Sequence, residues 1–81
     1  MFINKTKDGR NNLCGKQVAA LRKANKWSQR ALAARLQLVG LDIDKNAVQR
    51  LECGKRFVTD IELAALAQVF EVTTQQLLWE E

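Results

Sequence analysis

Four segments of this chain share a pattern that is typical of the start of a helix. In each, an apolar residue precedes a polar one, and a second apolar residue follows four positions after the polar one. The polar side chain can accept a hydrogen bond from a free backbone N–H, and the two apolar side chains pack together as a hydrophobic staple. The segments are Trp27, Ser28 and Leu32; Ile43, Asp44 and Val48; Val58, Thr59 and Leu63; Val72, Thr73 and Leu77. With a first helix that starts after Asn11 or Asn12, the chain is predicted to be all-α, a compact bundle of five short helices.

The predicted helices also have recognisable ends. Gly40 and Gly54 follow the second and third helices, and glycine suits the left-handed residue that ends a helix. The fourth helix has an apolar stripe that must be core, formed by Leu63, Leu66, Ala67 and Phe70. We expect the first helix to end near 25–26, the second to run to about 39, the third to span about 45–53, and the fifth to span 75–79.

Length and composition restrict the class of protein. The chain has 81 residues, enough for one domain and too few for two independent cores. It has no apolar run long enough to span a membrane and no secretory signal, so we expect a cytoplasmic protein without a membrane contact. Its only two cysteines, Cys14 and Cys53, are expected to be reduced side chains in or near the core. With no histidine, no nucleophile–base pair and no phosphate loop, we expect no metal, no cofactor and no enzyme.

Charge is distributed unevenly along the chain, whose net charge is +4. Residues 1–26 contain seven Lys or Arg and one carboxylate, whereas residues 59–81 contain five carboxylates and no Lys or Arg. A folded chain with this segregation should have one positive side, which attracts nucleic acid before membrane because no basic amphipathic helix is evident. On charge alone, an ordinary basic protein is equally compatible.

The predicted third helix has two faces of different chemistry. Val48 and Leu51 are three residues apart and point to the core. The opposite face carries Lys45, Asn46, Gln49 and Arg50. Lys and Arg can donate to guanine, and Asn and Gln can pair with adenine through two hydrogen bonds. This face is suited to reading base edges in the major groove, although a plain solvated helix face has a similar composition.

Two further places suit a DNA phosphate. A helix N-terminus offers free N–H groups and a partial positive charge, and Ser28, Gln29 and Arg30 lie at the start of the second helix. Lys55 and Arg56 lie just past the third. Taken singly, each place is better explained as an ordinary cap or a solvated charge.

Three segments, SQRALAARL, NAVQRLECGKR and ELAALAQVFEVTTQQLL, together resemble the Cro/repressor-type helix-turn-helix domains, the lambda-repressor-like or XRE class. The resemblance covers about residues 15–79. It implies a lambda-repressor-like five-helix bundle, with the helix-turn-helix at about 28–53. It also implies sequence-specific binding to double-stranded DNA by a transcriptional regulator, usually a repressor that acts as a homodimer.

The resemblance implies roles for individual residues. Gln29 matches the phosphate-contacting glutamine at the start of the second helix. Arg22 and Glu52 match a structural ion pair, in which a guanidinium binds a partly buried carboxylate through two hydrogen bonds. The base-reading positions fall on Lys45, Asn46 and Arg50, with Gln49 between them.

The chain departs from the family pattern between the second and third helices. The segment from Gln37 to Ile43 is longer than the usual short turn with one glycine. Either the second helix is longer by about a turn, or the connection is a real loop. The apolar spacing of Leu36 and Val39 favours the longer helix. A smaller departure is Glu71, which occupies the place of a common helix-ending glycine.

The two ends of the chain carry different signals. Residues 1–12 form a basic arm with Lys5, Lys7 and Arg10, which we expect to lack fixed structure, so the folded domain is placed at 13–79. At the other end, Leu77, Leu78 and Trp79 either complete the core or form a dimer surface.

Two classes of function therefore remain open. The first is a sequence-specific DNA-binding transcriptional regulator, most simply a repressor, that reads the major groove with its third helix. The second is a protein-interaction module of the same fold, such as an antitoxin, an anti-repressor or a scaffold subunit. The apolar C-terminus and the unusual connection favour the second class, and the basic face of the third helix favours the first.

Overall fold

The computed structural model describes residues 9–78, which form five helices and no strand. The helices are α1 (Gly15–Ala24), α2 (Gln29–Leu38), α3 (Lys45–Glu52), α4 (Asp60–Phe70) and α5 (Thr74–Leu78). The predicted all-α five-helix bundle is confirmed, and each helix lies within a few residues of its expected place. None of these five helices has the length and apolar character that a bilayer-crossing segment needs.

The helix starts follow the capping pattern of the sequence. Ser28 Oγ accepts a hydrogen bond from the N–H of Ala31, and Asp44 Oδ1 accepts one from the N–H of Ala47. Reciprocal capping boxes open the last two helices, between Thr59 and Glu62 and between Thr73 and Gln76. These bonds satisfy N–H groups that have no partner within the helix, so each start is stabilised by the local sequence.

The staple residues lead into one core. Leu32, Val48 and Leu77 are fully buried, and the residues before the caps pack against the same cluster. Trp27 stacks on Phe70 with ring centroids 5.6 Å apart, and the Arg35 guanidinium lies 4.1 Å from the centroid of the Trp27 ring. This stack joins the start of α2 to the end of α4.

The lengthened connection between α2 and α3 is an ordered segment. The helix continues to Leu38, and Gly40 then adopts a left-handed conformation with φ +94°. Residues 39–44 are not helical, but the Leu41 N–H donates to Leu36 O and Gln37 Nε2 donates to Ile43 O over 2.9 Å. The sequence left open a longer second helix or a real loop, and each holds in part. Helix α2 keeps its apolar spacing to the last turn, and a non-helical segment held by hydrogen bonds follows.

The predicted arm, residues 1–12, is corrected at its C-terminal end, because Arg10, Asn11 and Asn12 belong to the folded domain. Buried Asn12 donates through Nδ2 to Leu51 O and Arg56 O, and Arg10 Nη2 donates to Glu52 O over 2.7 Å. The last carbonyls of a helix have no partner within it, so side chains from the N-terminal segment satisfy those of α3. Lys5 and Lys7 lie outside the described residues.

Glycine is required where this N-terminal segment crosses α3. A Cβ on Gly15 would collide with the Leu51 carbonyl oxygen, and a Cβ on Gly54 would collide with the Arg10 side chain. Gly54 also has φ +80°, which places it in the left-handed region. Both glycines therefore allow the N-terminal segment to lie against the end of α3.

Three smaller predictions have mixed outcomes. Cys14 is buried, and burial raises the pKa of its thiol to about 11, but Cys53 is exposed, which corrects its placement in or near the core. The reason is its position at the C-cap of α3, two residues past buried Leu51, since residues two apart do not share a helix face. Glu71 takes the left-handed helix-ending conformation with φ 56°. Leu77 completes the core, whereas Trp79 lies outside the described residues.

Candidate nucleic-acid interface

Helix α3 separates its core side chains from its polar side chains. Ala47, Val48 and Leu51 are buried, and they anchor the helix on the bundle. The four side chains predicted to read bases are all exposed: Lys45, Asn46, Gln49 and Arg50. The fold thus brings two cations and two amides together on one solvent-facing side of a helix, and these groups can donate to or pair with base edges.

The start of α2 carries the first predicted phosphate site. Ser28 uses its hydroxyl as the helix cap, and Arg30, two residues further along, is exposed. Gln29 is half-buried, and its Nε2 donates to Glu52 Oε1 over 3.1 Å. The amide of Gln29 therefore binds the end of α3 while its backbone lies in the first turn of α2, where N–H groups can face an anion.

Glu52 also binds Arg22, the partner that the family resemblance implies. Arg22 Nε lies 2.6 Å from Glu52 Oε2, and Arg22 Nη2 lies 3.1 Å from Glu52 Oε1. Arg22 Nη1 donates to Trp27 O, just before the cap of α2. Both charged side chains are largely buried, so each needs the other as a partner. The cluster of Arg22, Gln29 and Glu52, here called the Glu52 network, fixes the start of α2 relative to α3.

The two residues of the second predicted phosphate site, Lys55 and Arg56, have different surroundings in the structure. Lys55 is exposed. Arg56 Nη2 instead lies 2.6 Å from Glu62 Oε2, so the Arg56 guanidinium is directed to the start of α4. Burial raises the pKa of Glu62, but hydrogen bonds from Thr59 and Arg56 together with the charge of Arg56 more than offset this and hold the pKa below its ordinary value. Of these two cations, Lys55 is the better placed to meet a phosphate.

Sequence reasoning missed the side chains that brace the end of α3. Asn11 Nδ2 donates to Lys55 O, and the Asn11 N–H donates to Gly54 O over 2.7 Å, next to the bonds of Arg10 and Asn12 described above. The sequence predicted Asn12 only as a possible helix cap. Asn12 Oδ1 does accept a hydrogen bond from the N–H of Gly15. Its second role, as a donor to α3, has no local signal in the sequence.

The fold and this polar helix face define a helix-turn-helix protein. The sequence profile of the helix-turn-helix domain matches residues 14–79, and the chain belongs to that family, in its Cro/repressor-type class of DNA-binding regulators. Among solved structures, the chain is similar to the restriction-modification controller protein C.AhdI from Aeromonas hydrophila. The two are 27% identical with a TM-score of 0.67, over 78% of this chain and 84% of that chain. A comparison with curated proteins gives no match.

Proposed function

We propose that this protein is a sequence-specific regulator that inserts α3 into the major groove of double-stranded DNA. The observation that carries the proposal is the exposure of four polar side chains on a helix whose other side is anchored in the core. An α-helix fits the major groove, and amides and cations are the groups that distinguish its base edges. The proposed base-reading residues are Lys45, Asn46, Gln49 and Arg50.

Phosphate contacts at both ends of the helix-turn-helix would hold α3 in register. At the start of α2, Ser28, Gln29 and Arg30 offer a helix N-terminus and an exposed guanidinium. Past α3, Lys55 offers an exposed ammonium group, whereas the guanidinium of Arg56 is paired with Glu62. Such contacts fix orientation without reading sequence, so the two sites and α3 have separate tasks.

The regulator is proposed to act as a homodimer in the cytoplasm and to repress transcription by occupying promoter DNA. The dimer and the sign of regulation rest on the resemblance to the Cro/repressor-type class. The similarity to a restriction-modification controller protein supports a role in regulation. A symmetric dimer would bind a palindrome whose half-sites lie about one helical turn apart.

Selection of bound sequences from a random duplex library tests this proposal. The expected result is one enriched palindromic motif whose binding weakens steeply with salt, because phosphate contacts release counterions. A variant with Asn46 and Arg50 both changed to Ala serves as the matched control, since both side chains are exposed and the fold does not depend on them. If no motif is enriched at any salt concentration, the protein-interaction module of the same fold becomes the better explanation.

A further inference from the structure

Asp44, the residue before α3, uses only one of its two carboxylate oxygens to cap the helix. Its backbone is extended, and its Oδ1 accepts a hydrogen bond from the N–H of Ala47 over 2.8 Å. Among the residues that the structure describes, no donor forms a hydrogen bond with Asp44 Oδ2, and the residue is exposed. The second oxygen is therefore available to a partner from outside the chain.

The residues on either side of Asp44 hold its carboxylate in place. Ile43 is buried in the core, and its carbonyl accepts a hydrogen bond from Gln37 Nε2 over 2.9 Å. On the other side, Ala47 and Val48 are buried and anchor the first turn of α3. Since the cap bond also restrains the side chain, a partner of Oδ2 would meet a group that is already ordered.

The position of Asp44 places it beside side chains that are proposed to read bases. Lys45 and Asn46 directly follow it, and both are exposed. When a helix-turn-helix protein binds DNA, the N-terminal residues of its second helix contact base edges. In the proposed complex, Asp44 therefore lies at the end of α3 that enters the major groove.

The charge of Asp44 restricts what it can face in that groove. A helix N-terminus alone would attract a phosphate. A carboxylate at the same place repels a phosphate, and it can accept hydrogen bonds but cannot donate them. The hydrogen-bond donors on base edges in the major groove are the amino groups of cytosine and adenine. Asp44 is thus suited to a base and unsuited to the DNA backbone.

Cytosine fits this carboxylate better than adenine does. The major-groove edge of cytosine presents its N4 donor without an acceptor, whereas the N6 donor of adenine lies beside the acceptor N7. We infer that Asp44 is a specificity-determining residue, whose Oδ2 accepts a hydrogen bond from the N4 amino group of one cytosine in each half-site. Lys45 can donate to the guanine of the same base pair. This inference rests on the proposed function, because it names a base that the proposed interface selects.

Three variants of the full chain separate base reading by Asp44 from its role as a cap. Asp, Asn and Ser cap helices about equally well. Asp44→Ser keeps a capping oxygen and removes the second oxygen, and Asp44→Asn keeps the cap but places an amide donor where Oδ2 was. Asp42→Asn is the matched control, since it removes an exposed carboxylate two residues earlier, outside α3 and its cap. Thermal unfolding by circular dichroism is expected to show that all three fold.

Selection from a random duplex library, followed by competition binding, compares the variants with the wild type. The wild-type motif is expected to contain a cytosine at a position where Asp44→Ser has no base preference, a loss of discrimination of at least about fivefold. Asp44→Asn is expected to disfavour cytosine there, because its amide donor would face the N4 amino group. Asp42→Asn is expected to keep the motif and to bind all sequences more tightly, since it removes a charge that repels phosphates.

The outcomes distinguish this inference from the proposed function. If the wild type enriches no motif, both fail. If the wild type enriches a motif and Asp44→Ser selects the same one, only the role of Asp44 is overturned. That role is also overturned if the preference lost in Asp44→Ser is for a base other than cytosine. A change of motif in Asp42→Asn like that in Asp44→Asn would overturn it too, because charge alone would then explain the effect.

Discussion

At the scale of single residues, Glu52 accepts hydrogen bonds from side chains of two other helices. Arg22 of α1 binds it through two nitrogens, and Gln29 of α2 binds it through its amide. The residue belongs to α3 but its carboxylate faces the bundle, which leaves the exposed side of α3 free for its polar face. One carboxylate thus positions three helices without occupying any of the surface proposed to meet DNA.

Glu52→Gln is expected to lower the free energy of unfolding by about 2 kcal/mol. The change leaves the guanidinium of Arg22 largely buried without its charged partner, and bonds to charged groups contribute more than neutral ones. Urea denaturation followed by circular dichroism measures the effect. Asp42→Asn, which removes an exposed carboxylate, is the control and should change stability little. Equal stability of the two variants would contradict a positioning role for Glu52.

Arg50→Ala is expected to cost about 1–3 kcal/mol of binding on the selected DNA motif and to relax specificity at one base pair. Lys55→Ala is expected to weaken binding to all sequences alike and to reduce the salt slope by about one, because a phosphate contact carries no sequence information. Competition binding against motif variants at several salt concentrations measures both. If Arg50→Ala weakens all sequences equally, Arg50 contacts the backbone and does not read a base.

Glu62 is expected to make the free energy of unfolding depend on pH. Its pKa is held below the ordinary value of 4.5, so the ionised carboxylate stabilises the fold above that pH. That contribution is lost as the pH falls from about 4.5 through the lower pKa of the folded state. The variant Glu62→Gln keeps the capping oxygen but cannot ionise, so the difference in free energy of unfolding between wild type and variant should shrink on acidification. A constant difference between neutral pH and about pH 3 would exclude this account.

At the scale of helices and connections, the end of α3 depends on the segment before α1. Asn12 accepts from the N–H of Gly15 and donates to Leu51 O and Arg56 O, so it caps one helix at its start and another at its end. The helix proposed to read DNA is therefore held by partners outside the helix-turn-helix. A change in the N-terminal segment is expected to reach DNA binding through the position of α3.

Asn12→Asp tests this brace. The Asp carboxylate keeps the acceptor for the N–H of Gly15 but loses the amide donor, and it faces two carbonyl oxygens. The free energy of unfolding should therefore fall by about 1–3 kcal/mol. Asn25→Asp is the matched control, since the Asn25 amide donates to Leu21 O at the exposed end of α1. Hydrogen exchange at the last turn of α3 should rise in the Asn12 variant and stay unchanged in the Asn25 variant. A uniform rise across all helices would indicate general destabilisation only.

The elements that could be predicted from the sequence are those with local causes. The caps Ser28, Asp44 and Thr59 bond to residues three positions away, so the pattern in the chain carries the whole signal. The bond from Arg10 to Glu52 spans 42 positions and depends on how α1 and α3 pack, which periodicity does not encode. The pair of Arg56 and Glu62 crosses a non-helical turn, and the Arg22–Glu52 pair was expected only through the family resemblance.

At the scale of the whole molecule, the proposed surfaces lie next to each other. The exposed face of α3 and Lys55 beyond it adjoin each other, because Arg50 and Lys55 line the same cavity. The proposed homodimer would present two reading helices to one side of a duplex. The distance between the half-sites then follows from the dimer, and the sequence of each half-site follows from α3.

A spacer series is expected to show this coupling. Inserting about five base pairs between the selected half-sites rotates one of them to the opposite side of the duplex, so one rigid dimer cannot contact both. Binding should fall to that of a single half-site. Gel-shift titration measures the affinity of the protein for each duplex in the series. Equal affinity at every spacing would mean that the two copies bind independently.

The pinned connection between α2 and α3 has a consequence for how such proteins diversify. Gly40 ends one helix and Asp44 starts the next, so each boundary has its own local cause and the stretch between them is free to change length. In this chain, Gln37 donates a hydrogen bond to the backbone of Ile43 and holds the connection in place. Relatives could acquire new operators by altering this spacer alone, which would re-aim α3 while the core sequence stays constant. A library randomised at residues 38–42 would make this segment a practical starting point for engineering new DNA targets.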